Sequence, residues 1–180
     1  MNEPIMPSPN DQLISGIQEV FRNNGWECEV VPGVPVVETG FEAHHGRLNL
    51  HVQAYGVIGA ISVVAVSPTL IPSAAARGKT VELLMRANER MNLGGFELRW
   101  EEGEVLFRIG NVFPGGRVDA KVLSLLVEIA IVEMDRIAPC LAIISNARAG
   151  ELLLLNPAEL LARGDLLPEP ATVDAKENRG

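Results

Sequence analysis

Cysteine is scarce in this chain: Cys28 and Cys140 are the only two, and neither stands in a CxxC or any other metal-ligand spacing. A disulfide framework or a zinc module is therefore not expected, and both thiols read as small buried hydrophobes of a reducing compartment. Basic charge is also short, with 15 Lys and Arg against 23 Asp and Glu, a formal net charge of -8. Neutralising nucleic-acid phosphates needs clustered cations, so no nucleic acid is expected as a partner. Long apolar runs are missing too. Residues 60–71 are interrupted by Pro68, and residues 122–144 contain Glu128, Glu133, Asp135 and Arg136, so neither reads as a membrane span. The opening MNEPIMPSPN has a glutamate, three prolines and no basic or apolar region of a secretory signal, which leads us to expect a cytoplasmic protein. Finally, GxGxxG, GxxxxGK[ST] and GxSxG are all absent, so no motif positions a phosphate or a nucleophilic serine.

What is present is enough for one packed domain: 180 residues, 47% of them hydrophobic. We assign it to residues 9–164, with a flexible lead at 1–8 and a disordered tail at 165–180, where Pro, Glu, Asp and Lys replace the apolar pattern. Ser8 followed by Pro9 predicts a helix cap, and Leu13, Ile14, Ile17, Val20 and Phe21 repeat at helical spacing as far as Gly25. Residues 28–31, 34–43 and 60–67 are strand-like, the last apolar at almost every position as an interior strand would be. Ser73 predicts the cap of a second helix with Val81, Leu84, Met85, Asn88 and Met91 on one stripe. Asp119 predicts the cap of a long third helix reaching about Asn146, kinked or broken at Pro139, and Asn156-Pro157 starts a short last one.

Two hairpins can be drawn in detail. With Glu102-Gly103 as a two-residue turn, Trp100 faces Val105, Leu98 faces Phe107 and Phe96 faces Ile109 on an apolar side, while Glu97 lies across from Arg108 on the polar one. With His45-Gly46 as the turn, Ala43 faces Leu48 and Phe41 faces Leu50, and His44 with Arg47 and Glu42 with Asn49 share the other side. Strands in hairpins interleaved with helices describe an α+β fold, a five-stranded antiparallel sheet covered on one face.

RANERMNLGGFELRWEEGEVLFR, then VEIAIVEMDRIAPCLAII, then NPAEL resemble the corresponding segments of the YbjN family, bacterial sensory transduction regulators. The resemblance runs from about Asp11 to Leu161. It implies a fold similar to type III secretion chaperones, in the order α-β-β-β-α-β-β-α, which agrees with the order read from the residues. It brings no catalytic motif, since the shared words are hairpin, cap and helix-packing residues. Arg99-Trp100, a basic and aromatic pair where relatives carry smaller or acidic residues, points to this chain's own partner.

The candidate chemistry is thin. His44, His45 and His51 lie within eight residues, with Glu42 as a possible further ligand, so a small metal-dependent or hydrolytic enzyme using the His44/His51 hairpin is the alternative reading. Arg47 and Asn49 sit among the same residues, and a cation beside a metal is unfavourable, which favours a solvated hairpin face. Asp135 repeats at seven-residue spacing with Lys121 and Glu128 and is expected on the exposed side, with Glu133 able to pair with Arg136. The third helix carries apolar residues over about half its circumference, wider than the roughly 100° stripe that one sheet needs. Its cover is either the chain's own LLLLNPAELL or a partner. We therefore expect a non-catalytic protein-binding module without cofactor, meeting a protein partner or a second copy through Leu123, Val127, Ile131, Met134 and Arg99.

Overall fold

The computed structural model describes residues 8–166; the lead before Ser8 and the tail beyond Leu166 lie outside the described residues. Helix α1 (Pro9–Asn23) begins at Ser8, whose hydroxyl accepts from the Asp11 N–H while the Asp11 carboxylate accepts from the Ser8 N–H, a reciprocal cap. Strands β1 (Glu29–Val30), β2 (Val36–Ala43), β3 (Gly46–Tyr55) and β4 (Ala60–Leu70) follow, then α2 (Ala74–Asn88), β5 (Gly95–Arg99), β6 (Glu104–Val112), α3 (Ala120–Asn146), α4 (Ala149–Leu154) and α5 (Pro157–Ala162). The sheet is antiparallel throughout, in the order β1-β2-β3-β4-β6-β5. It has six strands rather than five because residues 29–30 pair with β2, at Glu29 with Glu38 and Val30 with Val37. The C-terminal segment forms two short helices instead of one.

Strands β2 to β6 contribute alternate residues to one core, as the two-residue side-chain period requires, while both residues of β1 are exposed. Val37, Leu50, Val52, Val63, Ala65, Val105 and Phe107 lie there with Leu13 and Ile17 of α1, Leu83 of α2, Leu123 and Val127 of α3, Leu152 of α4 and Leu161 of α5. The five helices of the described residues therefore all cover the same face of the sheet, and none of them lies on the other.

Both hairpins keep the expected inner residues, Trp100 excepted, but pair them differently. In β2–β3 the loop is His44-His45, so Ala43 pairs with Gly46, Phe41 with Leu48 and Glu42 with Arg47. In β5–β6 the loop spans Trp100 to Gly103, so Leu98 pairs with Val105 and Phe96 with Phe107, and Trp100 leaves the ladder for solvent. The Glu97–Arg108 contact survives as a diagonal pair with two hydrogen bonds of 2.7 and 3.1 Å. In each case a glycine was assigned to the second place of a two-residue turn, whereas Gly46 opens a strand and Gly103 ends a four-residue turn. Each displacement is by two residues, and an even displacement leaves every side chain on its own face.

Gly103 has φ +73° and donates its N–H to the Arg99 carbonyl at 2.8 Å. Its own carbonyl accepts from the Ile71 N–H, also at 2.8 Å, so the tip is pressed against the β4–α2 connection and a Cβ would run into the Ile71 carbonyl. On α2 the buried face is Ala76, Thr80, Leu83, Leu84 and Ala87, while Val81 and Met85 of the expected stripe are exposed. The helix rides close to β5 and α5, and small side chains permit that approach. Its last residue, Asn88, donates to the Phe96 carbonyl and accepts from the Phe96 N–H, filling the outward-facing hydrogen bonds of edge strand β5 at that residue. Helix α3 continues through Pro139. Among the described residues no helix is long and apolar enough to cross a membrane.

Candidate functional site

The residues expected to meet a partner divide sharply. Leu123, Val127 and Met134 are completely buried in the chain's own core, Ile131 is half-buried against it, and only Arg99 is exposed, paired with Glu104 at 3.0 Å. The wide apolar arc of α3 thus faces the sheet and its flanking helices. Part of its cover is the chain's own C-terminal segment: Leu152, Leu160 and Leu161 are buried in the same cluster, and the Cys140 thiol lies 3.9 Å from the Leu160 carbonyl. Burial pushes the Cys140 thiol up to about 11, so it stays protonated and unreactive at neutral pH. Burial also raises the Cys28 thiol, on the rim of the sheet.

The three histidines do not converge. His44 and His45 form the β2–β3 turn with their rings edge to face, centroids 4.7 Å apart. His51 lies five extended residues beyond Gly46, about 17 Å along β3, where its Nε2 is 3.7 Å from Glu38. Among the described residues no group of three His, Cys, Asp or Glu side chains is arranged to hold a metal ion. His45 has a structural partner instead. The Asp135 carboxylate on α3 accepts its backbone N–H at 2.7 Å and lies 3.3 Å from its Nδ1, so Asp135 anchors the turn and is not a solvated member of a polar stripe. Arg136 pairs with Glu133 as its spacing suggested, at 2.6 Å.

The open face of the sheet is the most distinctive surface. On β4 and β6 it carries Val64, Val66 and Leu106, and Leu106 is only 1% exposed although no helix lies over it. The register explains this. Leu106 has Val66 and Glu97 across from it and Glu104 and Arg108 on either side, and the ion pairs Arg108–Glu97 and Arg99–Glu104 flank it along the strands. The aliphatic stems of these side chains roof the leucine while their charged ends stay in water. The Glu97 hydrogen bond holds the Arg108 guanidinium above its ordinary pKa. Leu70, paired with Glu104, extends the apolar centre to an exposed side chain, and Trp100 stands exposed at the adjoining tip. Towards β1 the face becomes polar, with an open cleft of about 350 Å³ lined by Glu27, Glu29, Glu38, Arg47 and His51. Arg47 pairs with Glu42 at 3.1 Å and lies over Gly40, where a Cβ would meet the guanidinium.

The alternation of the hairpin puts Leu106 on the polar side with Arg108, two residues on, where an apolar residue does not stand out. Its signal was an apolar residue two places from a charge on either side, Glu104 and Arg108, each with an opposite charge available on the neighbouring strand.

Comparison with known proteins agrees with this architecture. The model of the YbjN family, described as "Putative bacterial sensory transduction regulator", matches residues 14–142. None of the curated proteins matches the sequence. Among solved structures the chain is similar to "Crystal structure of YbjN, a putative transcription regulator from E. coli", with a TM-score of 0.52 and 7% identity over 69% of this chain and 87% of that one. At that identity the likeness concerns the fold.

Proposed function

The chain belongs to the YbjN family, and from that premise we propose that it is a non-catalytic protein-binding module with a regulatory or chaperone-like role in a bacterial cytoplasm. The observation that carries this reading is the open sheet face, with Leu106, Val64 and Val66 at its centre under a lattice of ion pairs and Leu70 exposed beside them. Such a face suits an extended or flat protein surface: its charges give register and selectivity, and the exposed Leu70 and Trp100 beside its apolar centre gain from exclusion of water. The charged groups that could have served catalysis have structural duties, His45 with Asp135 and Arg136 with Glu133. The formal net charge of -8 further favours a protein partner over direct contact with nucleic acid.

The test is affinity capture from a bacterial lysate with three baits: the full chain, Leu70→Glu with Arg99→Glu on the open face, and Leu153→Glu on the exposed side of α4. A defined protein should be retained by the first and third and lost from the second, with all three baits melting alike. Retention of the same protein by the open-face variant, or no specific protein on the full chain, overturns the reading.

A further inference from the structure

The open face of the sheet has a direction. Along β4 its side chains, Ala60, Ser62, Val64, Val66 and Leu70 among them, are uncharged, and the charged residues of the face stand on the strands to either side. This strip finishes in exposed apolar side chains at both ends. At one end Leu70 is 57% exposed, with Trp100 at the adjoining tip; at the other Val112 is 56% exposed, and Tyr55 lies across Ala60 from it. Leu70 pairs with Glu104, and Val112 stands eight residues beyond Glu104 on the same strand, so the two ends are about 27 Å apart. Between them Leu106 lies under its roof of ion pairs, and nearer Val112 the paired Ser62 and Gly110 leave a shallow dip.

Resting on the reading that this face binds protein, we propose that its occupant is an amphipathic α-helix of the partner, lying along β4. The backbone decides against an extended segment. A sheet offers free N–H and C=O groups at its edges and none on its face, so a strand laid there would give up water from its own peptide groups without replacement. A helix satisfies those groups internally. Spacing agrees, because 27 Å is about 18 residues of helix, or five full turns, so a single side of the helix reaches both ends of the strip. Apolar side chains at the two ends of that side cover Leu70 with Trp100 and Val112 with Tyr55. Charged ones between them meet the Arg108–Glu97 and Arg99–Glu104 pairs.

Charge sets the direction of the helix. Glu101 and Glu102 are exposed at the Trp100 end, and among the described residues neither belongs to an ion pair. At the other end residues 53–62 and 109–116 carry no charge at all. The positive, N-terminal end of the helix, with any lysines beside it, therefore sits at Trp100.

Two labelled peptides of identical composition, each about 24 residues long, test this by fluorescence anisotropy. The first carries lysines at its N-terminus and a pair of leucines one helical turn apart near each end, the pairs about 18 residues from each other, with alanine, glutamate and lysine between. The second sets the same leucines at alternate positions, the period of a strand. The full chain should bind the first with a Kd on the order of 10–100 µM and the second roughly ten-fold more weakly or less. Leu70→Glu and Val112→Glu should each weaken the first by roughly ten-fold or more, and Glu101→Lys with Glu102→Lys should weaken it several-fold. Leu153→Glu, on α4, should leave it unchanged. Failure of the helical peptide to bind, equal or tighter binding of the strand-period peptide, or a Val112→Glu chain that binds like the unaltered one overturns the proposal. A Val112→Glu bait added to the preceding capture separates the two readings. A protein lost from Leu70→Glu with Arg99→Glu but kept by Val112→Glu leaves the open face as the binding surface and overturns the helix along it.

Discussion

The β2–β3 and β5–β6 hairpins finish their tips by opposite means. At the β2–β3 tip, His44 and His45 close the loop, and the hold comes from outside through the Asp135 carboxylate of α3. At the β5–β6 tip the four-residue turn closes on itself, and its hold is backbone to backbone, Gly103 against Ile71. A tip held by a side chain depends on a residue some 90 positions away and tolerates change within the loop. A tip held by its backbone depends on the residue that lets the chain approach, and that residue must be glycine.

Phe107→Ala has the largest expected effect, because it empties a fully buried site below the second tip and removes the edge-to-face contact with Phe96. We expect a loss of about 3–5 kcal/mol in chemical denaturation; a loss under about 1 kcal/mol would mean that β5–β6 is not part of the cooperative core. Gly103→Ala comes next, at about 3 kcal/mol from the positive φ, and it should release the Ile71 amide to hydrogen exchange while the His45 amide stays protected. Asp135→Ala should cost about 2 kcal/mol, as for a hydrogen bond to a charged acceptor, with the reverse exchange pattern. If both variants loosen both tips equally, the two holds are one unit and the contrast fails. His45→Ala sharpens the contrast, because the backbone N–H that Asp135 binds survives; its cost should be about 0.5 kcal/mol, as for the loss of one partly exposed side-chain contact. Trp100→Ala is the smallest change, within about 0.5 kcal/mol for an exposed turn residue; a cost comparable to that of Phe107→Ala would restore the register in which Trp100 faces Val105.

Much of the fold was legible because its boundaries are written in local chemistry. Ser8, Ser73, Asp119 and Asn156 all cap the helices assigned to them, and alternation put Phe96, Leu98, Val105 and Phe107 on one face whatever their partners. Pairing was less legible, since turn length depends on what grips the turn, and neither Asp135 nor Ile71 is near it in sequence. On α2, apolarity pointed to Val81 and Met85, but close packing selected Ala76, Thr80 and Ala87, a choice made by neighbours that the helix cannot announce. The candidate surfaces were least legible. The breadth of apolar residues on α3 was visible, yet which side meets the sheet depends on where α1 and α5 lie, so Leu123, Val127 and Met134 were assigned outward when they belong inside. Leu106 needed its cross-strand neighbours to be known before its concealment under ion pairs could be seen.

Asn88 bears on the solubility of the protein. A strand at the rim of a sheet is a template on which another chain can add itself, and repetition of that step leads to fibrils. At one rim β1 is two residues long, too short to template a strand; at the other, the Asn88 amide satisfies the Phe96 N–H and carbonyl as a neighbouring strand would. The end of α2 thus acts as a false neighbour, ending the sheet without offering a further rung. Asn88→Ala would unmask that rim, and quiescent incubation at high concentration should then give thioflavin-positive aggregates where the unaltered chain stays clear; an equally clear Asn88→Ala solution would show that the rim is guarded by something else.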